Sequence, residues 1–175
     1  MNETIRYEKM NEIASKAPSG SEGLLVFPFG NGAERILQNN NPGASFLNIN
    51  FNIHQRSHIL RALQEGIVFA LNYGIEIMKG VGLEINVVRA GRANMFLSNI
   101  FRQSFADVSG ARIELYNTNG AEGAARGAGL GVMYYKTRKE AFSNLKRMGE
   151  QTPKQNDQLL MAYHKWKQKL GALSE

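Results

Sequence analysis

Apolar positions along this chain fall into short continuous runs separated by longer stretches of helical period. Ile5, Met10 and Ile13 share one face of a helix predicted over 5–16, and Pro18, Ser19 and Gly20 end it. The run 24–27, Leu-Leu-Val-Phe, suits a buried strand, and the polar, Asn-rich stretch 30–42 reads as a surface loop. Residues 45–51 alternate and predict a second strand. The next helix runs to about Gly80, with Asn52 or His54 as its cap, and at roughly 25 residues it would span about 37 Å. Ile59, Leu63, Ile67, Phe69, Leu71, Ile75 and Met78 cover so much of its surface that a central position, packed on more than one side, is expected. Gly66 and Gly74 each lower helix propensity by about 1 kcal/mol relative to Ala, so both are expected to be points of close contact.

Further along, 85–88 predicts a strand. A Gly-containing turn follows, then a helix over 95–108 ended by Gly110. Residues 112–116 predict another strand, with 117–120 as its turn. The helix predicted over 121–135 is dense in Gly and Ala, so its backbone is expected to approach a neighbour closely. Its Gly127-Ala128-Gly129-Leu130-Gly131 run looks like a dinucleotide loop, but the helical context favours packing. Two amphipathic helices, 137–149 and 154–170, are split by Thr152-Pro153. Strands alternating with helices imply an α/β sheet. The organisation expected is one domain over 1–175, with 1–20 as an opening helix and loop and 137–175 as C-terminal helices.

Composition narrows the chemistry. The chain has 175 residues and no cysteine, which excludes disulfides and thiolate zinc sites. No apolar run approaches the roughly 20 residues of a membrane span, and the polar, amphipathic start is unlike a signal peptide. A cytoplasmic protein is the simplest reading. The net charge is +6, and the excess belongs to the tail: residues 1–135 hold 12 Lys and Arg against 11 Asp and Glu, whereas 136–175 hold 9 against 4. A basic tail is one route to nucleic acid, through a binding module over residues 136–170. The alternative is a solvated helix face, favoured because Lys136, Lys146, Lys154, Lys165 and Lys169 are spread out rather than packed into a block.

The stretch 84–107 has the shape of a strand that ends in a turn and feeds a helix. In open α/β domains such junctions gather free N–H groups and the positive helix end, where phosphates and nucleotides sit. Neither G-x-G-x-x-G nor G-x-x-x-x-G-K-[ST] marks it. Asn94, near the start of the helix, reads first as an N-cap. His54, His58 and His164 form no triad or metal pattern, although His54 and His58 are four apart.

Four motifs, one of them inside this stretch, give it a context. LLVFPFGNGAER (24–35), LQEGIVFAL (63–71), FRQSFAD (101–107) and EGAARGAG (122–129) follow one another in the order seen in the C-terminal half of the FGGY family of carbohydrate kinases. The chain resembles that family over roughly residues 7–136. The resemblance implies a ribonuclease H-like (actin-type ATPase) domain, an α/β fold with a mixed sheet flanked by helices. Two such domains would close around a cleft. The implied reaction, nearest to that of the xylulose kinases, moves the γ-phosphoryl group of ATP to the 5-hydroxyl of D-xylulose with Mg²⁺, giving D-xylulose 5-phosphate.

On that resemblance Ala90, Gly91 and Asn94 are the nucleotide-binding residues. Ala90 and Gly91 stand where the family has glycines that let the backbone lie close to the adenosine and α-phosphate. Asn94 stands at the distance of an Asn found by the adenine nucleotide in the glycerol- and rhamnulose-kinase-like branches. Arg92 departs from the pattern, and either reaches a phosphate or is simply solvated. Glu34 and Arg35 match the Glu-Arg of the family's first loop, where an ion pair is the simpler role. Only Asp107 and Asp157 are aspartates. Asp107 matches a structural Ala-Asp and Asp157 lies outside the resemblance. No catalytic or metal-ligating residue is therefore expected in this chain, and the catalytic Asp is expected in an N-terminal sugar-binding domain. The partners implied are that domain and ATP or ADP, and a homodimer is compatible with the pattern.

Overall fold

In the computed structural model residues 6–32 and 34–173 are described; Ile5, Ala33 and the last two tail residues lie outside them. The opening helix, α1 (Tyr7–Ala14), is shorter than the pattern predicts. Strand β1 (Leu25–Phe29) pairs antiparallel with β2 (Gly43–Leu47), from Leu25 opposite Leu47 to Phe29 opposite Gly43. The loop between them is not wholly superficial, because a 3₁₀ turn at Arg35–Leu37 buries Leu37. Strand β2 stops four residues earlier than predicted. Asn48 takes a left-handed φ of 63° and its side-chain amide donates to the Gly23 carbonyl at 3.3 Å, which leaves Phe51 exposed beyond the turn.

Helix α2 (Arg56–Gly80) is the scaffold. Its cap is neither Asn52 nor His54 but Gln55, whose N–H donates to Nδ1 of His58 at 3.1 Å. His54 is used in the same way, accepting from the Asn50 N–H at 2.9 Å. The helix lies directly on β1: a Cβ at Gly66 would stand 2.4 Å from the Val26 carbonyl oxygen, so only glycine fits there. Gly74 has no such need, its nearest neighbour being Ile36 at an ordinary 3.9 Å. At its N-terminal end α2 ties down the loop after α1. Buried Glu65 accepts from Arg61 at 2.7 Å, the Gly20 N–H at 3.0 Å and the Ser21 hydroxyl at 3.1 Å. Arg61 also donates to the Ala17 carbonyl and the Ser19 hydroxyl.

Strand β3 (Val87–Gly91) starts later than predicted and runs further, so that Ala90 and Gly91 are its last residues rather than part of a turn. The single helix expected over 95–108 is broken. A 3₁₀ turn, Asn94–Leu97, is followed by extended Ser98 and then α3 (Asn99–Ser109), ended as expected by left-handed Gly110. Ser98 causes the break: its hydroxyl accepts from the Phe101 N–H, capping α3, and donates to Gln64 of α2 at 2.6 Å. Strand β4 (Arg112–Tyr116) occupies its predicted residues and pairs parallel with β3.

Helix α4 (Gly120–Gly131) ends before the two tyrosines. Met133 turns at a φ of 57° and Tyr135 folds back over Gly129. None of its residues is buried, and a Cβ on Gly123, Gly127 or Gly131 would meet nothing within 4 Å, so the close approach expected of this helix is not made. The helix expected over 137–149 is replaced by a single turn, α5 (Arg138–Ala141), and a strand, β5 (Arg147–Gln151). β5 pairs antiparallel with β4, Glu114 opposite Glu150, and completes a mixed sheet in the order β3-β4-β5. On one face of that sheet Val88, Ala90, Ile113 and Leu115 meet the core. On the other, the Glu114 carboxylate accepts from the Tyr116 hydroxyl and from Arg89 and Arg112.

Helix α6 (Asp157–Leu173) closes the core. It buries Leu159, Tyr163, Trp166 and Leu170 and leaves Lys165, Lys167 and Lys169 exposed. Trp166 stacks on Phe27 at 5.1 Å between ring centres, and its indole N–H donates to the Val26 carbonyl at 2.8 Å. The linker before α6 is pinned by Asp107, whose carboxylate accepts from the Lys154 N–H at 2.8 Å, Gln103 at 2.6 Å and Asn156 at 3.4 Å. Asp107 is thus structural, as its motif implied.

Candidate nucleotide site at the strand ends

The carboxyl ends of parallel β3 and β4 lie side by side, with Gly91 opposite Tyr116. Beyond them is a cavity of about 300 Å³. Its floor is apolar, from Ile67 and Leu71 of α2 with Met95, Phe96 and Phe101. Its rim is polar or bare backbone: Gly91, Ala93 and Asn94 on one side, Asn119 and Gly120 on the other. A crevice outside the carboxyl ends of parallel strands is where open α/β sheets bind ligands, and a mostly apolar lining with a few polar groups is the usual make-up of a small-molecule or cofactor pocket.

Of the residues singled out from the sequence, Gly91 and Asn94 reach this cavity. Ala90 stands one residue back in β3, paired with Leu115 and packed on the core. Gly91 holds two backbones together: a Cβ there would stand 2.3 Å from the Thr118 carbonyl oxygen and 3.3 Å from Cα of Asn119. Asn94 is not an N-cap. It opens the 3₁₀ turn in the left-handed region, with φ 51°, and is exposed at the rim. Arg92 is exposed beside it.

The far rim is electrostatically settled. Asn119 caps α4, its side-chain oxygen accepting from the Glu122 N–H at 3.0 Å. The Glu122 carboxylate sits over the positive helix end, and accepts from Asn119 at 3.2 Å, Thr118 at 3.2 Å and Arg126 at 3.3 Å. The sequence reading missed Asn119 and Glu122. The signal was present as an Asn three residues before a Glu at the start of a helix, a capping-box spacing.

Glu34 and Arg35 do not line this cavity. With Asn31, Pro28 and Met78 they border an adjoining groove of about 810 Å³, which shares Ile67 and Leu71 with it. Glu34 forms a bridge with Asn40 across the loop. Among the described residues no three His, Asp or Glu side chains group in a way that could hold a metal ion, and no helix is long and apolar enough to cross a membrane.

No protein-family model matches the chain. It is 32% identical over 132 residues to a xylulose kinase of Haemophilus influenzae, covering 74% of this chain and 26% of that protein. The chain belongs to the family of carbohydrate kinases that includes the xylulose kinases. It spans about a quarter of the length of that relative. Ligand-bound xylulose kinase from Lactobacillus acidophilus superposes with a TM-score of 0.77 at 19% identity, over 95% of this chain and 34% of that one. Glycerol kinase of Plasmodium falciparum, solved with ADP, superposes with a TM-score of 0.71 at 24% identity, over 97% of this chain and 34% of that one. The fold is accordingly the ribonuclease H-like, actin-type ATPase fold of these sugar kinases.

Proposed function

We propose that this chain is the nucleotide-side, C-terminal domain of an ATP-dependent sugar kinase that phosphorylates D-xylulose. The observation that carries the reading is the cavity at the ends of β3 and β4, lined by Gly91 and Asn94, in a chain that belongs to a kinase family. Gly91 keeps the strand end and the Thr118–Asn119 turn close enough to form one edge, and Asn94 offers the polar group at the other. Ala90 supports Gly91 from the strand. The apolar floor takes the purine and excludes water from its faces.

The chemistry of phosphoryl transfer needs a base for the sugar hydroxyl and neutralisation of the phosphate charge. Asp107 is committed to the linker before α6, and Asp157 begins that helix away from the cavity. Among the described residues no three His, Asp or Glu side chains group together, and Mg²⁺, when bound, would be held largely by the phosphates and water and would neutralise their charge. The base and the sugar contacts are assigned to an N-terminal sugar-binding domain that closes the cleft.

Titration calorimetry of the 175-residue chain with ADP tests this reading. Binding is expected, together with no sugar-dependent release of ADP from ATP until an N-terminal kinase domain is added. Absence of ADP binding would overturn the nucleotide site, and turnover by the chain alone would overturn its role as one half of a kinase.

A further inference from the structure

We propose that Arg102 is a positioning residue: it holds the Asn94–Leu97 turn in the shape that presents Asn94 to the cavity. This rests on the nucleotide reading above. The turn should not be rigid by itself. It is four residues long, none of them fully buried, with only Met95 and Phe96 packed against the core, and Asn94 sits in the left-handed region with no side-chain hydrogen bond among the described residues. That conformation is tolerated by Asn but still carries a cost of order 1 kcal/mol, and it persists only where the surroundings hold it.

The surroundings do so by the packing of Phe96 on Phe101, at 5.3 Å between ring centres, and by hydrogen bonds from two directions. Nη1 of Arg102 donates to the carbonyls of Phe96 at 2.7 Å and Leu97 at 3.1 Å, and Nη2 donates to the side-chain oxygen of Asn99 at 3.4 Å. These are the late carbonyls of a 3₁₀ turn, which lack partners within the turn itself. Behind them, the Ser98–Gln64 hydrogen bond of 2.6 Å ties the end of the turn to α2, and Gln64 in turn donates to Asn11 at 3.0 Å. Arg102 is partly buried, and its burial and the nearby Arg92 both disfavour its charge. A guanidinium kept there against that cost, with both N–H groups of Nη1 spent on turn carbonyls, serves the turn first. Arg92, exposed and without a side-chain hydrogen bond among the described residues, makes the contrast.

Three measurements on the full chain test this. In Arg102→Ala, amide exchange at Phe96 and Ser98 is expected to speed up while the melting temperature moves little. Affinity for ADP and for adenosine is expected to fall by the same factor, about tenfold, as for a lost pre-organisation. Arg102→Lys, which can still reach one carbonyl, is expected to recover part of both. Unchanged exchange, or unchanged affinity despite faster exchange, overturns the proposal. So does a loss confined to ADP, which would make Arg102 a phosphate ligand. A wild-type chain that fails to bind either ligand overturns the nucleotide reading, and the exchange measurement still decides whether Arg102 holds the turn.

Discussion

Gly91 and Thr118 stand so close that a single added carbon would not fit: a Cβ on Gly91 would lie 2.3 Å from the Thr118 carbonyl oxygen. The contact joins the end of β3 to the turn that opens α4, and both edges of the candidate site depend on it. The bare side chain at 91 therefore serves packing between two backbones as well as space for a ligand.

Gly91→Ala is expected to push the two backbones apart and destabilise the chain by about 1–3 kcal/mol, the usual range for overpacking. ADP binding should be lost with it. Urea unfolding gives the first quantity and calorimetry the second. A variant with the midpoint of the wild type would show that the 118–119 turn yields freely.

Trp166 joins the tail to the core through stacking and one hydrogen bond to the Val26 carbonyl. Trp166→Phe retains most of the stacking and loses the donor, for an expected cost of about 1 kcal/mol. Trp166→Ala opens a cavity and should cost about 3–5 kcal/mol. Equal midpoints for the two variants in guanidinium unfolding would rule out this division.

Asp107 gathers the Lys154 N–H, Gln103 and Asn156. In Asp107→Ala these donors lose their acceptor, at an expected cost of about 1–3 kcal/mol. Proteolytic cleavage between 152 and 156 should become faster. Asp107→Asn keeps one acceptor oxygen and should fall between the two. Cleavage at the wild-type rate in the alanine variant would separate Asp107 from the linker.

Burial pushes the Glu65 carboxyl above its ordinary value, and Arg61, the Gly20 N–H and Ser21 offset this only in part. The folded state therefore holds this proton at pH values where the unfolded chain has released it. Stability from this group is full below the ordinary Glu range, and is lost as pH rises from that range through the raised folded value. Unfolding free energy measured across that interval should show a downward component with rising pH that is absent in Glu65→Gln. An identical slope in the two proteins would mean that Arg61 and the hydrogen bonds fully offset burial, and an upward component in the wild type relative to Glu65→Gln would mean that they outweigh it.

The sequence by itself determined the elements whose signal is local. The apolar runs near β1, the long apolar helix α2, β4 with its adjoining turn and the glycine stop at 110 follow from periodicity and residue conformational preference, and the structure keeps them within a few residues. The kinase motifs, read in order, carried the family and the fold. What tertiary structure decided was wherever a contact outweighed local preference. Arg147–Gln151 has no strand pattern and becomes a strand only because β4 offers it a free edge. The predicted helix from 95 breaks because Ser98 finds Gln64, 34 residues away in sequence. Gly91 and Asn94 were legible as candidates, but Asn119 and Gly120 joined them only through the parallel pairing of β3 with β4. Periodicity reports which side of an element is apolar; which distant backbone comes to rest against it is set by the packing of the whole chain.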